Sequence, residues 1–102
     1  MSLNLQLNTP IRVKNYDIGE LTLRDPVTAD FFRLGLPFVV FSAGDDAVMG
    51  LEFRMKVLAQ FIGRLADINP DVVKTMSMRD VGRCQSFILS FLDKFEKESD
   101  HG

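Results

Sequence analysis

The apolar period of the chain changes at Arg24-Asp25-Pro26, and that change constrains the fold more than any other feature. Upstream, apolar residues alternate: Leu3, Leu5 and Leu7 take one side, Asn4, Gln6 and Asn8 the other. Alternation of this kind is the pattern of a strand with one wet face. Asn8-Thr9-Pro10 interrupts it, because proline brings no N–H to a ladder, and Ile11-Arg12-Val13 resumes it. Lys14-Asn15 is a turn signal, since asparagine tolerates positive φ. Tyr16 to Leu23 alternates again, with Ile18, Leu21 and Leu23 as apolar positions and Gly19 as the site of a bulge or bend. The expected structure is a small antiparallel sheet. A hairpin alone is marginal in water, so helices must cover its apolar face.

Downstream the spacing becomes helical. Asp25 as N-cap with Pro26 at the first helical position is a start signal, and Thr28 offers a second cap. This helix carries Phe31, Phe32 and Leu34 and stops near Gly35. Leu36 to Phe41 reads equally as a connector, a short strand or another helical turn. Asp45-Asp46 then complements the dipole of the longest helix, expected from about Ala47 to Ala66. Val48, Leu51, Met55, Leu58, Ile62 and Leu65 form one stripe of it, and Phe53, Val57 and Phe61 a second. Asn69-Pro70 repeats the cap-plus-proline signal ahead of a short helix. Ser77-Met78-Arg79-Asp80 resembles a capping box with Asp for Glu. The last helix is expected from about Met78 to Glu96, striped by Val81, Cys84, Ile88, Phe91 and Phe95 with Phe87 and Leu92 beside them. The predicted fold is α+β: a small N-terminal antiparallel sheet or hairpin followed by about four helices. Residues 1–102 form one domain, with a hairpin region at 1–24, a helical region at 25–96 and a charged tail at 97–102 that frays.

Several function classes are excluded by what the chain lacks. One cysteine, Cys84, permits no internal disulfide and no Cys-based zinc site, and the one histidine, His101, is penultimate. No Ser-His or Cys-His constellation is available, so an enzyme is not expected, nor a catalytic residue, cofactor, metal or small-molecule substrate. Adjacent Asp45 and Asp46 read as caps rather than metal ligands. A net charge of −2 gives no footing for nucleic acid, although Arg79 and Arg83 share a helix face. The longest apolar run, Leu34 to Phe41, is broken by Gly35 and Pro37, whereas a membrane span takes about 20 apolar residues. The first residues lack a basic segment followed by an apolar one, so no secretory signal is expected. Cys84 reads as a small buried hydrophobe of a reducing compartment.

The segment Leu21-Thr22-Leu23-Arg24-Asp25-Pro26-Val27-Thr28-Ala29-Asp30 resembles the L-T-L-R-E-P-T-x-x-D signature of phage tail assembly chaperones of Mu-like and related contractile-tailed phages. Leu7 through Val13 resembles that family's L-x-x-P-I-x-V opening, and Ile62-Gly63-Arg64-Leu65-Ala66 its I-A-R-L-A helix end. Met76-Ser77 and Asp80 resemble its L-S-x-x-D turn ahead of a last helix ending in Phe91-Leu92. Val27 and Asp25 depart mildly from the pattern, and the connector from Leu36 to Gly44 carries larger apolar residues. The resemblance implies a non-enzymatic protein of the host bacterial cytoplasm, encoded by a phage or prophage. It implies binding to the tape measure protein while the tail tube polymerises, and absence from the finished virion.

Within the signature, Leu21, Leu23, Arg24, Pro26 and Asp30 read as fold-determining: two leucines on one strand face, an arginine ending the strand and a proline starting the helix. Arg24 and Asp30 are placed to pair across that junction. The nine phenylalanines read first as core. Yet two apolar stripes on one helix and a broad one on another exceed what a small domain buries, and surplus apolar surface marks a partner or an oligomer. Phe53, Val57, Phe61, Phe87, Phe91 and Phe95 are therefore the expected partner-binding residues, in a helix-in-groove mode suited to a helical client. Met49, Met55, Met76 and Met78 add adaptable surface or fill core gaps. A structural or adaptor component that self-associates and stays in the tail is the alternative.

Overall fold

In the computed structural model the described residues are 2–43 and 48–100, with side chains described for 2–38 and 53–91. β1 (Leu3–Val13) and β2 (Tyr16–Leu23) form an antiparallel two-stranded sheet, from Leu3 opposite Leu23 to Val13 opposite Tyr16. Lys14 and Asn15 make the turn with φ of 48° and 71°. Two successive positive φ values give the turn a twist that matches the flanking strands. The register slips between Gln6 and Ile11, where residues 7–10 of β1 oppose Gly19 alone. The expected interruption at Asn8-Thr9-Pro10 and the expected bend at Gly19 thus fall opposite each other, and β1 continues through both.

Four helices follow: α1 (Thr28–Leu34), α2 (Met55–Ala66), α3 (Pro70–Val73) and α4 (Met78–Asp100). The arrangement is α+β, as the spacing predicts. Three boundaries differ. α1 begins at Thr28 rather than at Pro26, because Val27 takes the N-cap position and donates its N–H to Asp30 Oδ2 at 2.8 Å. α4 continues to Asp100 rather than ending near Glu96.

The largest correction concerns the helix expected from about Ala47. α2 begins only at Met55, and the preceding residues form a second antiparallel pair, β3 (Phe38–Ala43) with β4 (Val48–Phe53). The 25–96 region is therefore not wholly helical. Asp45-Asp46, read as that helix's caps, lies outside the described residues. The difference has a physical source. Val48, Leu51 and Met55 satisfy a helical spacing, but Phe38 to Phe41 is rich in strand-forming side chains and offers β4 a partner. Gly50 also weakens a helix there by about 1 kcal/mol. The true start is unmarked, since Arg54 at the N-cap makes no side-chain capping bond.

One face of β1–β2 meets α2 and α4 in a single core. Leu5, Ile11, Leu21 and Leu23 pack with Leu58, Phe61, Ile62 and Leu65 of α2 and with Val81, Cys84 and Ile88 of α4. Each fully buried large side chain contributes about 1.5–3 kcal/mol. The strands β3 and β4 pair with each other, and among the described residues no other element packs broadly on them.

Candidate partner-binding surface

Two buried carboxylates hold the frame on which the surfaces sit. Asp30, fully buried, accepts Arg24 Nη1 and Nη2 at 2.9 Å each, Arg64 Nε at 2.7 Å and the Val27 N–H at 2.8 Å. Both arginine side chains still reach water, at 45% and 36% exposure. The Arg24 hydrogen bonds outweigh the opposing cost of burial and, with Val27 and Arg64, hold the Asp30 carboxyl well below the usual carboxylate range. Arg24 N–H donates to Leu65 O at 3.0 Å, so β2, α1 and the end of α2 meet at one node.

Asp80 does the same for the bulge. It accepts the Asn8 N–H at 2.8 Å, the Thr9 N–H at 3.3 Å and Arg83 Nη1 at 3.4 Å. Arg83 also donates to Gln6 O at 2.8 Å. Burial opposes ionisation of Asp80, but the Asn8 N–H, the Ser77 hydroxyl, the Thr9 N–H and Arg83 outweigh it and leave its pKa lowered. Ser77 Oγ accepts the Asp80 N–H at 3.2 Å, the helix-start half of the expected capping box. The acid side chain itself reaches across to β1.

The motif residues lie in this frame. Leu21 and Leu23 are core, Pro26 is buried, and Arg24 pairs with Asp30 as the junction required. A Cβ on Gly63 would meet Ile68 O at 2.8 Å and Pro70 Cγ at 3.3 Å, so this position needs glycine for α2 to turn tightly into α3. Cys84 is buried, and burial pushes its thiol up to about 11.

The expected contact residues differ in burial. Phe61 is fully enclosed against Phe31, ring centroids 5.0 Å apart, and offers a partner no surface. Val57 is half-buried on the same core, and Phe53 is half-buried with its ring 6.3 Å from Phe38. Phe87 and Phe91 are half-buried on α4 in an edge-to-face pair at 5.2 Å. Phe95 lies on α4 with its side chain outside the described residues, as does the Met49 side chain on β4.

The open apolar surface is carried by other residues. Phe32 is 87% exposed on α1, with Val27 and Leu36 also exposed. Met55 and Met78, exposed at 46% and 70%, flank a groove of about 260 Å³ between α2, α3 and the start of α4. Leu58, Ile62, Val73, Met76 and Val81 line it as well. Periodicity alone placed Phe32 within an apolar helix and Met55 within a longer one, so neither was separable from core. Among the described residues no three metal-ligating side chains come together, and no helix is long and apolar enough to cross a membrane.

The molecule is thus a small α+β protein with Asp30 and Asp80 buried and partnered and with part of its apolar surface open. The chain belongs to the phage tail assembly chaperone family: the family model described as "Phage tail assembly chaperone proteins, E, or 41 or 14" matches residues 4–93. No curated protein and no solved structure matches significantly. The match covers both acid nodes, the groove and the Phe87–Phe91 pair.

Proposed function

We propose that this chain binds the tape measure protein in the host bacterial cytoplasm, keeping its apolar helical segments soluble until tail-tube subunits displace it. The role is non-catalytic. The observation that carries the reading is exposed apolar side chains, Phe32, Met55 and Met78 above all, on a protein of the tail assembly chaperone family. Phe53, Val57, Phe87, Phe91 and Phe95 remain proposed contributors to the contact surface. Phe61 does not, since it is enclosed.

Co-expression with a tape measure protein, followed by pulldown and sizing, tests this. Co-elution of a client that is insoluble alone supports the reading. A chain that stays alone while the client precipitates overturns it.

A second reading, a tail component that is retained and self-associates, draws on β3–β4. A two-stranded sheet has two outer edges, and open edges are templates for pairing with another chain. Mass spectrometry of purified virions separates the readings: a chaperone is missing from the particle, and a structural component is present in stoichiometric amount.

A further inference from the structure

We infer that the groove between α2, α3 and the start of α4 seats an amphipathic helix that carries Asp or Glu beside its apolar stripe. The inference rests on the client-binding reading above and names the contact site and the chemistry of the segment bound.

The lining sets the first requirement. Leu58, Ile62, Val73 and Val81 form an apolar floor, and Met55 and Met78 stand exposed at its sides. At about 260 Å³ the groove falls below the usual range of small-molecule pockets, about 300–1,000 Å³. It suits a few side-chain anchors delivered by a polypeptide. Met55, Leu58, Ala59 and Ile62 recur along α2 at helical spacing, so one wall is itself a helix stripe. A partner helix with anchors at i, i+3, i+4 and i+7 matches such a wall. Unbranched methionine side chains re-pack around anchors of different shape, as a chaperone that meets varied apolar segments requires.

Charge sets the second requirement. Among the described residues the charged ones lining the groove are Lys56 and Lys74, with no acid among them. Lys56 makes no ion pair among the described residues. Lys74 is held by Asp71 at 3.3 Å in a pair exposed on both sides, which contributes little and leaves its ammonium free to change partner. A helix flanked by carboxylates gains from both cations. A helix flanked by Lys or Arg is repelled at the same positions.

The test uses the full chain carrying ¹³C-methyl methionine, which has five such residues. The probes are two synthetic amphipathic helices with the same leucine stripe, one flanked by Glu and the other by Lys. The Glu peptide is expected to shift the Met55 and Met78 methyl resonances and to bind at least about tenfold more tightly than the Lys peptide, a factor equal to about 1.4 kcal/mol. The Lys56→Glu, Lys74→Glu double variant should reverse the preference, and Met78→Lys should abolish the Glu-peptide shifts. Equal binding of both peptides, no methionine shift, or concentration-dependent shifts without peptide would each overturn the proposal, the last by seating a second copy in the groove. The co-expression pulldown is run in parallel with a Met55→Lys, Met78→Lys variant. Full client capture by that variant sinks the groove while leaving the chaperone reading intact. Failure of the wild type to capture client sinks the chaperone reading itself.

Discussion

Arg64 Nε donates to Asp30 Oδ1 at 2.7 Å across 34 positions of sequence. The bond joins the arginine near the end of α2 to the acid in the first turn of α1, and Arg24 meets the same carboxylate from the end of β2. Three separate stretches of sequence thus converge on one buried oxygen pair. Their common task is to fix where the sheet, α1 and α2 sit relative to one another.

Removing the charge at that node should be costly. Asp30→Asn is expected to lower unfolding free energy by about 2–3 kcal/mol, seen as a lower urea midpoint at unchanged m-value. This is below the cost of breaking a fully buried ion pair, because both arginines retain contact with water.

Acid should act through the same group. The folded-state pKa of Asp30 is depressed, so its stabilisation is present above its unfolded value of about 3.9 and is lost as pH falls below that toward the folded value. Asp80 is shifted in the same direction. Urea midpoints of the wild type should therefore fall between about pH 5 and pH 2. Asp30→Asn should show a shallower fall, the remainder including the Asp80 contribution. An identical slope in both proteins would contradict the assignment.

Asp80→Ala should loosen β1 locally before it unfolds the domain. The Asn8 and Thr9 amides donate to this carboxylate, so their hydrogen exchange should accelerate by more than about tenfold. The amides of Leu5 and Leu21, which lie opposite each other in the regular ladder, should change only with global stability.

Two glycines make a paired test. Gly63→Ala drives a Cβ to within 2.8 Å of the Ile68 carbonyl oxygen and is expected to cost about 1–3 kcal/mol. Gly82→Ala, in α4 with nothing within 4 Å of the new Cβ, should be neutral or stabilising by up to about 1 kcal/mol. Thermal or urea unfolding of the two variants gives the contrast directly.

The Cys84 thiol should resist alkylation in the native state. It is buried, with its pKa pushed up to about 11. Iodoacetamide at pH 8 should modify it more than about 100-fold more slowly than in denaturant, and any native-state labelling should track unfolding.

Much of the frame was legible from local chemistry. Alternation around Leu5 and Leu21, the Lys14-Asn15 turn and the Asn69 cap each rest on interactions within a few residues, and each is present. The Arg24–Asp30 pair was also within reach, because strand end and helix start are adjacent in the chain. Local spacing does not point to Arg64 or to the β1 amides of Asn8 and Thr9 as partners of the two acids, since those bonds span 34 and 71–72 positions.

The contact residues show where local pattern ends. A stripe at helical spacing states that a side is apolar, not what covers it. Phe61 is enclosed because α1 brings Phe31 against it, and Phe32, its neighbour in sequence, is left in water. The sequence by itself determined the N-terminal strand pair, its Lys14-Asn15 turn and the starts of α3 and α4, because these depend on backbone preferences and residue chemistry. Only the tertiary structure decided that residues 48–53 pair as a strand, that Phe61 is core and that Met55 and Met78 frame an open groove. Burial and strand pairing are properties of what the rest of the chain places alongside a residue, and no local spacing encodes that.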